Sequence, residues 1–350
     1  MSGSDLCYDV VIAGAGLAGA ATAWMAARAG GRRILLVEQE SELGRHSSGR
    51  SAAIVRRATG DARLDALCDE GAAFLAAPPR DFVGATGFRR TGGWLVAHRG
   101  QGERWRRRGV ERAAVGDFAR ALPDYQLPDD AELLHAPDDG VADPLLLLAG
   151  FVASAEACGV EVARGAPIRA VEVVDGEVRS VRVGSRRLAC GALVDACGAW
   201  SPTFAARLRA APDGMRTMRR HLLQTAPLAS VDPAAPWVWD HARDFYARPE
   251  AGGLLLCACD EAEDAPGDCQ PEPAVEARIR AKLAQAWPRA ASAATARFWA
   301  GHRTRRDDEQ FVLGRDARVR GLLRAAGLGG HGVTAAAAVG AAVARALAER

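Results

Sequence analysis

Three glycines, Gly14, Gly16 and Gly19, stand in GxGxxG spacing within VVIAGAGLAGAATAW, and a glutamate, Glu38, closes the strand-like run that follows, with Gln39 after it. This pattern is chemistry for a diphosphate. The first glycine permits a tight turn, the second lets a pyrophosphate reach backbone N–H groups, and the third lets a helix pack closely on a sheet. Leu17 and Ala18 open that helix, whose unpaired N–H groups and dipole favour an anion. Glu38 falls where a carboxylate accepts the ribose hydroxyls of an adenosine. Directly downstream, GRHSSGRSAAIVRR supplies Arg45, His46, Ser47, Ser48, Gly49, Arg50 and Ser51. Such hydroxyls and amides can bond phosphate and sugar oxygens, and an arginine can neutralise a pyrophosphate. Elsewhere a string of this kind reads as a polar turn; its place after the glutamate decides for binding.

These groups need a βαβ unit to hold them. Val10 to Ala13 form a short apolar run suited to a buried strand, Leu17 to Ala29 are alanine-rich without proline, and Arg33 to Val37 give a second strand. Further helices are expected at Asp61 to Ala77 and from an Asp-Pro pair at Asp143 to Cys158. Strands are expected at 160–162, 167–174, 177–183 and 192–195, then antiparallel pieces such as VWD, DFYAR and GLLLCAC, with one helix at Val275 to Trp287. The chain closes on a strand, Leu322 to Ala326, the cluster GLGGHG and a helix from Val333. The βαβ unit by itself does not separate NAD from FAD.

Composition narrows the class. A chain of 350 residues suggests two domains; 49% apolar and 25% charged residues are ordinary for a globular protein, and a formal charge of +2 gives no field for nucleic acid. ERWRRRGVER reads as a solvated helix face rather than a nucleic-acid patch. Eight cysteines without a CxxC pair point to reduced, mostly buried thiols and no metal set. No secretory leader or membrane-length apolar run is visible, so a cytoplasmic location is expected.

Taken in order, GAGLAGAATAW, GRHSSGRSAA, VADP, VDACGAWS, FYARPE, WAGHRT and AAGLGGHGV resemble the FAD-dependent amine and amino-acid oxidoreductases that include D-amino acid oxidase, glycine oxidase and sarcosine oxidase. HSSGRSAA is similar to the D-arginine dehydrogenase branch. The resemblance implies an α/β protein, a Rossmann-type FAD domain with an inserted mixed or antiparallel-sheet substrate domain. The expected division is 1–78, 138–212 and 300–350 for FAD against 79–137 and 213–299 for substrate. It also implies noncovalent FAD, with Ile168 near adenine, Ala196, Gly198 and Trp200 near the pyrophosphate, and Gly329, Gly330, His331, Gly332, Val333 and Thr334 at the isoalloxazine.

For chemistry, the resemblance puts Tyr246 and Arg303 at a substrate carboxylate, with Arg220 as a further substrate-side arginine and Arg303 also against the cofactor. His46 and His331 are expected to flank the flavin from opposite ends of the sequence, His46 in a context similar to flavin-linking histidines. The reaction implied is oxidation of the C–N bond of an amino acid or amine to an imine by hydride transfer to flavin N5. Two alternatives stay open: oxidation of a 2-hydroxy acid, and a flavin-binding subunit without turnover. The electron acceptor (oxygen, a quinone or another protein) is open as well. Sarcosine oxidase, in the family this chain resembles, uses a lysine near the flavin to activate oxygen; the sole lysine here, Lys282, falls in an expected outer helix, so the resemblance implies a dehydrogenase rather than an oxidase.

Overall fold

A computed structural model of the protein describes residues 7–349. Among them, strand Cys7–Ala13 lies between Ile34–Val37 and Arg186–Asp195, parallel to both, with Glu161–Ala163 and Leu322–Ala326 extending the parallel core. Parallel strands covered on both faces read as continuous apolar runs, as VVIA and ILLV do here. Helix Leu17–Arg28 and helix Gly332–Ala348 cross so closely that a Cβ on Gly340 would stand 2.6 Å from the Ala21 carbonyl carbon. Their alanine content therefore has a structural use: only small side chains allow that approach.

A second, nine-stranded sheet is built from 93–98, 111–112, 131–136, 216–225, 237–240, 245–250, 253–257, 262–263 and 295–305. Its period-2 alternation sorts side chains to two faces. One face carries Leu223, Val238, Phe245, Ala247 and Leu256 into a core with Val275, Ile279 and Leu283 of helix Pro273–Ala286. The other carries Leu222, Tyr246 and Cys257, with Trp239 beside them, toward Ala52 and Ile54 of the first unit.

The α/β expectation with a mixed or antiparallel second sheet agrees with this architecture: the second sheet is antiparallel except where strand 237–240 runs parallel to strand 93–98. Two stretches cross the expected divides: Phe82 packs among Trp24, Phe74 and Phe151 of the first unit, and strand Thr295–Arg305 pairs with Arg216–Thr225 across residue 299. Residues 1–6 and 350 of the expected FAD domain, and the extreme amino terminus read for a leader, lie outside the described residues. ERWRRRGVER is not a helix. It forms a 3-10 turn, Gly102–Trp105, and a short edge strand, Glu111–Arg112, because Trp105 must be buried and Gly109 takes a φ of +80°. All eight cysteines are free, with Cys7 and Cys158 exposed. No helix among the described residues is long and apolar enough to cross a membrane.

Candidate active site

A single cleft runs from the carboxyl ends of the parallel strands to the covering face of the second sheet, lined by Gly14, Glu38, Ser48, Trp200, Tyr246 and Arg303 among others. Two helices open into it. Helix Leu17–Arg28 starts at Gly16 and helix Gly332–Ala348 starts at His331, neither with a side-chain cap nor an acidic residue in its first turn. The helices at Ala62–Ala76 and Pro144–Ala157 are instead capped by Asp61 and Asp143, each accepting two backbone N–H bonds. The contrast is physical: an Asp cap completes a helix that ends in protein or water, whereas an open N-terminus in a cleft leaves N–H groups and dipole for an anion.

At the first of these ends the glycines behave as their spacing requires. Gly14 has a φ of +98°, and a Cβ there would lie 2.5 Å from the Ala196 carbonyl oxygen. On Gly16 a Cβ would lie 3.0 Å from Ser48 Oγ, and on Gly19 it would overlap the Gly14 carbonyl and touch Ala196 Cβ at 3.2 Å. Leu17 N–H donates to Ser48 Oγ at 3.1 Å. Glu38 accepts from the N–H groups of Ala15 (2.9 Å) and Glu40 (3.0 Å), which fixes its carboxylate at the turn. Ala18, Gln39, Ile168, Ala196, Gly198 and Trp200 line the same cleft. Gly19, Gly49 and Thr334 stand behind it: a Cβ on Gly49 would overlap the Gly44 carbonyl, and Thr334 Oγ1 accepts from Arg56 N–H at 3.2 Å.

The 44–51 stretch is tied to the second sheet as well as lining the cleft. Ser47 Oγ donates to the His302 carbonyl at 2.9 Å. Arg50 donates to the carbonyls of Arg45, Cys269 and Ala300 and to Asp268, so its guanidinium is taken up by the protein rather than held free for a pyrophosphate. Arg45 reaches Glu40 and Asp268. Ser51 Oγ accepts from Ala53 N–H, holding Ala53 at a φ of +59°. His46 pairs with Glu40 at 2.9 Å and meets the edge of Trp200, while His331 stands at the start of the last helix. Burial, then the charges of Arg56 and Arg303, push the His331 imidazole well below its ordinary pKa, so it is neutral.

Over the other end lies the face of the second sheet. Register pairs Trp239 with Tyr246, Tyr246 with Cys257, Met218 with Arg303 and Arg220 with Gly301, so Arg220 and Arg303 are diagonal neighbours on one face. Arg219 points the opposite way, to Glu272 at 2.6 Å, which settles which arginine of MRRHLL faces the cleft. Glu261 gathers Arg220 (2.6 Å), Arg305 (2.7 Å) and, at 4.0 Å, Arg303. Burial opposes the charge on Arg220, but Cys257, Cys259, Tyr246 and Glu261 outweigh it and hold the guanidinium protonated. Burial first, then Cys257, raises Tyr246 well above the usual phenol value, so its hydroxyl is a donor.

Sequence reasoning missed Arg56, Trp239, Cys257 and Glu261. The acidic pair of CACDE facing two arginine-rich strands, TMRRH and GHRTR, is the signal that could have found Glu261; nothing local marks Arg56. Asp264, Cys269 and His302 bring one ligand atom each within 4.8 Å of one another. The cluster is already satisfied internally: Cys269 and His302 bond Asp264, and Arg219 Nε lies 3.5 Å from the same carboxylate oxygen.

The family model described as FAD dependent oxidoreductase matches residues 9–346. The fold is similar to L-proline dehydrogenase from P. horikoshii (TM-score 0.88, 18% identity, covering 97% of this chain and 93% of that one). It is also similar to glycine oxidase from Geobacillus kaustophilus (TM-score 0.84, 20% identity, 98% and 95%). A third likeness is to the dithionite-reduced, FAD-bound L-alpha-glycerophosphate oxidase from Mycoplasma pneumoniae (TM-score 0.84, 15% identity, 98% and 95%).

Proposed function

The chain belongs to the FAD-dependent oxidoreductases, and from that premise we propose that it oxidises the C–N bond of an amino acid or related amine to an imine. The observation that carries this reading is the convergence of Arg303, Arg220 and Tyr246 on one sheet face, opposite the open amino terminus of helix Gly332–Ala348. The residues present fit FAD: an uncapped helix for the diphosphate, a fixed Glu38 for the ribose, and a second uncapped helix beneath Gly329 and Gly330. When bound, the flavin accepts the hydride of the substrate's α-carbon at N5.

The chain's own part is orientation. Arg303 and the Tyr246 hydroxyl fork a carboxylate, so that the α-carbon is held at one distance and one angle. Trp239, Leu222 and Ile54 line the space beside them and exclude water. His331, held neutral beside Arg56 and Arg303, adds no further positive charge to the cleft. Lys282 donates to the carbonyls of Asp244 (2.7 Å) and Ala258 (3.1 Å), away from the cleft lining, which supports an electron acceptor other than oxygen.

Anaerobic mixing of holoenzyme with D- and L-amino acids, N-methyl amino acids and 2-hydroxy acids tests the reading. Bleaching of the flavin band by amines supports it; bleaching by hydroxy acids alone, or by nothing, overturns it.

A further inference from the structure

One buried arginine of the cleft has no hydrogen-bonding or charged partner among the described residues. Arg56 is 7% exposed, and among the described residues its guanidinium makes no hydrogen bond or ion pair; Nε and Nη1 are buried without a partner. Its neighbour shows the ordinary solution: Arg57 turns the other way and pairs with Asp139 at 2.7 Å and Asp138 at 3.6 Å. Arg56 instead lines the cleft, its guanidinium carbon 3.9 Å over the centroid of the Trp239 ring.

A guanidinium stacked on an indole keeps its edge N–H groups in plane, presented as a fork to a planar anion. Burial first, and then the charge of Arg303, lower the pKa of Arg56 to about 10. Arg220 and Arg303 share Glu261, but no carboxylate reaches Arg56. The inner cleft thus has one more buried cation than a single substrate carboxylate and Glu261 together engage. A buried polar group without a partner inside a ligand cleft points to a partner that arrives with the ligand.

We propose that Arg56 anchors a second, distal carboxylate, so that the preferred substrate is a dicarboxylic amino acid or amine. One carboxylate is held by Arg303 and Tyr246 at the reacting end, and the other by Arg56 against Trp239. This assignment rests on the amine-oxidation reading for its reaction but not for its anion.

The test therefore reads binding apart from turnover. Perturbation of the flavin visible band of holoenzyme is titrated with succinate, glutarate and butyrate. The expected result is at least tenfold tighter binding of one dicarboxylate than of butyrate, with Arg56→Met removing most of that ratio and Arg56→Lys restoring only part, because a point charge lacks the planar fork. A single cooperative unfolding transition and wild-type flavin content show that the variants are folded. Equal loss of mono- and dicarboxylate binding would place Arg56 on the same carboxylate as Arg303 and overturn the proposal. So would loss of flavin with an unchanged ratio, or a phosphonate outcompeting both dicarboxylates. If the titration succeeds while no amine bleaches the flavin, the anion site stands and the amine reading falls; amine oxidation without a dicarboxylate preference gives the reverse.

Discussion

The guanidinium of Arg303 occupies the space that a side chain at Gly330 would take: a Cβ built there would stand 2.6 Å from Arg303 Cζ and 3.0 Å from Nε. Gly330 is not in the left-handed region, so its glycine is required by this approach and not by backbone strain. The arginine from the covering sheet and the glycine turn of the nucleotide-binding unit therefore define one another's position.

Gly330→Ala is expected to push Arg303 out of register with little effect on flavin content. KM for carboxylate-bearing substrates should rise about tenfold or more, the scale of one charge-assisted hydrogen bond, about 1.5–3 kcal/mol. Steady-state kinetics beside the flavin-to-protein absorbance ratio checks this; unchanged KM would remove Arg303 from the clamp.

Tyr246→Phe and Arg303→Met should each weaken substrate binding, the arginine more strongly. If both hold one carboxylate, the double variant loses less than the sum of the singles. Full additivity would show that the two act on different groups.

Arg50→Ala is expected to lower flavin retention because the 44–51 stretch loses its ties to Cys269, Ala300 and Asp268. Arg50→Lys should fail to rescue, since an ammonium cannot span those carbonyls. Rescue by lysine would instead favour a charge acting on the diphosphate.

His241 stacks on Trp105 at 4.0 Å and on Trp239 at 5.4 Å, and burial, followed by Arg56 and Arg104, lowers its pKa to about 2. The folded protein refuses a proton that the unfolded chain takes up below about pH 6.5, so this residue contributes no penalty above that value and a growing one below it. Between pH 7.5 and 5, wild type should lose about 2 kcal/mol more stability than His241→Gln in urea titrations at constant FAD. Parallel pH profiles would exclude the effect.

Arg324 is 2% exposed and joins Asp195 at 3.0 Å and Asp213 at 2.7 Å, while Asp195 also accepts from Ser201 Oγ at 2.7 Å. Arg324→Met leaves Asp195 buried and uncompensated, an expected loss of about 3–5 kcal/mol. Denaturant unfolding measures it, and a loss under about 1 kcal/mol would show that the hub relaxes.

Local chemistry determined much of this protein from its sequence. The GxGxxG turn, the buried parallel strands, the Asp-capped helices at Asp61 and Asp143 and the strand at Leu322 each depend on residues adjacent along the chain, and periodicity or capping reveals such features. Ordered motifs then identified the cofactor class.

Only the tertiary structure decided the rest, because register and face are relations between distant segments. Which of Arg219 and Arg220 meets the cleft turns on a one-residue phase in strand Arg216–Thr225. That Arg50 bonds the carbonyls of residues 269 and 300, that Glu261 serves three arginines, and that the Arg56 guanidinium has no hydrogen-bonding or charged partner among the described residues are sums over groups far apart in sequence. No window along the chain contains a charge balance of this kind; it exists once two sheets close on one cleft.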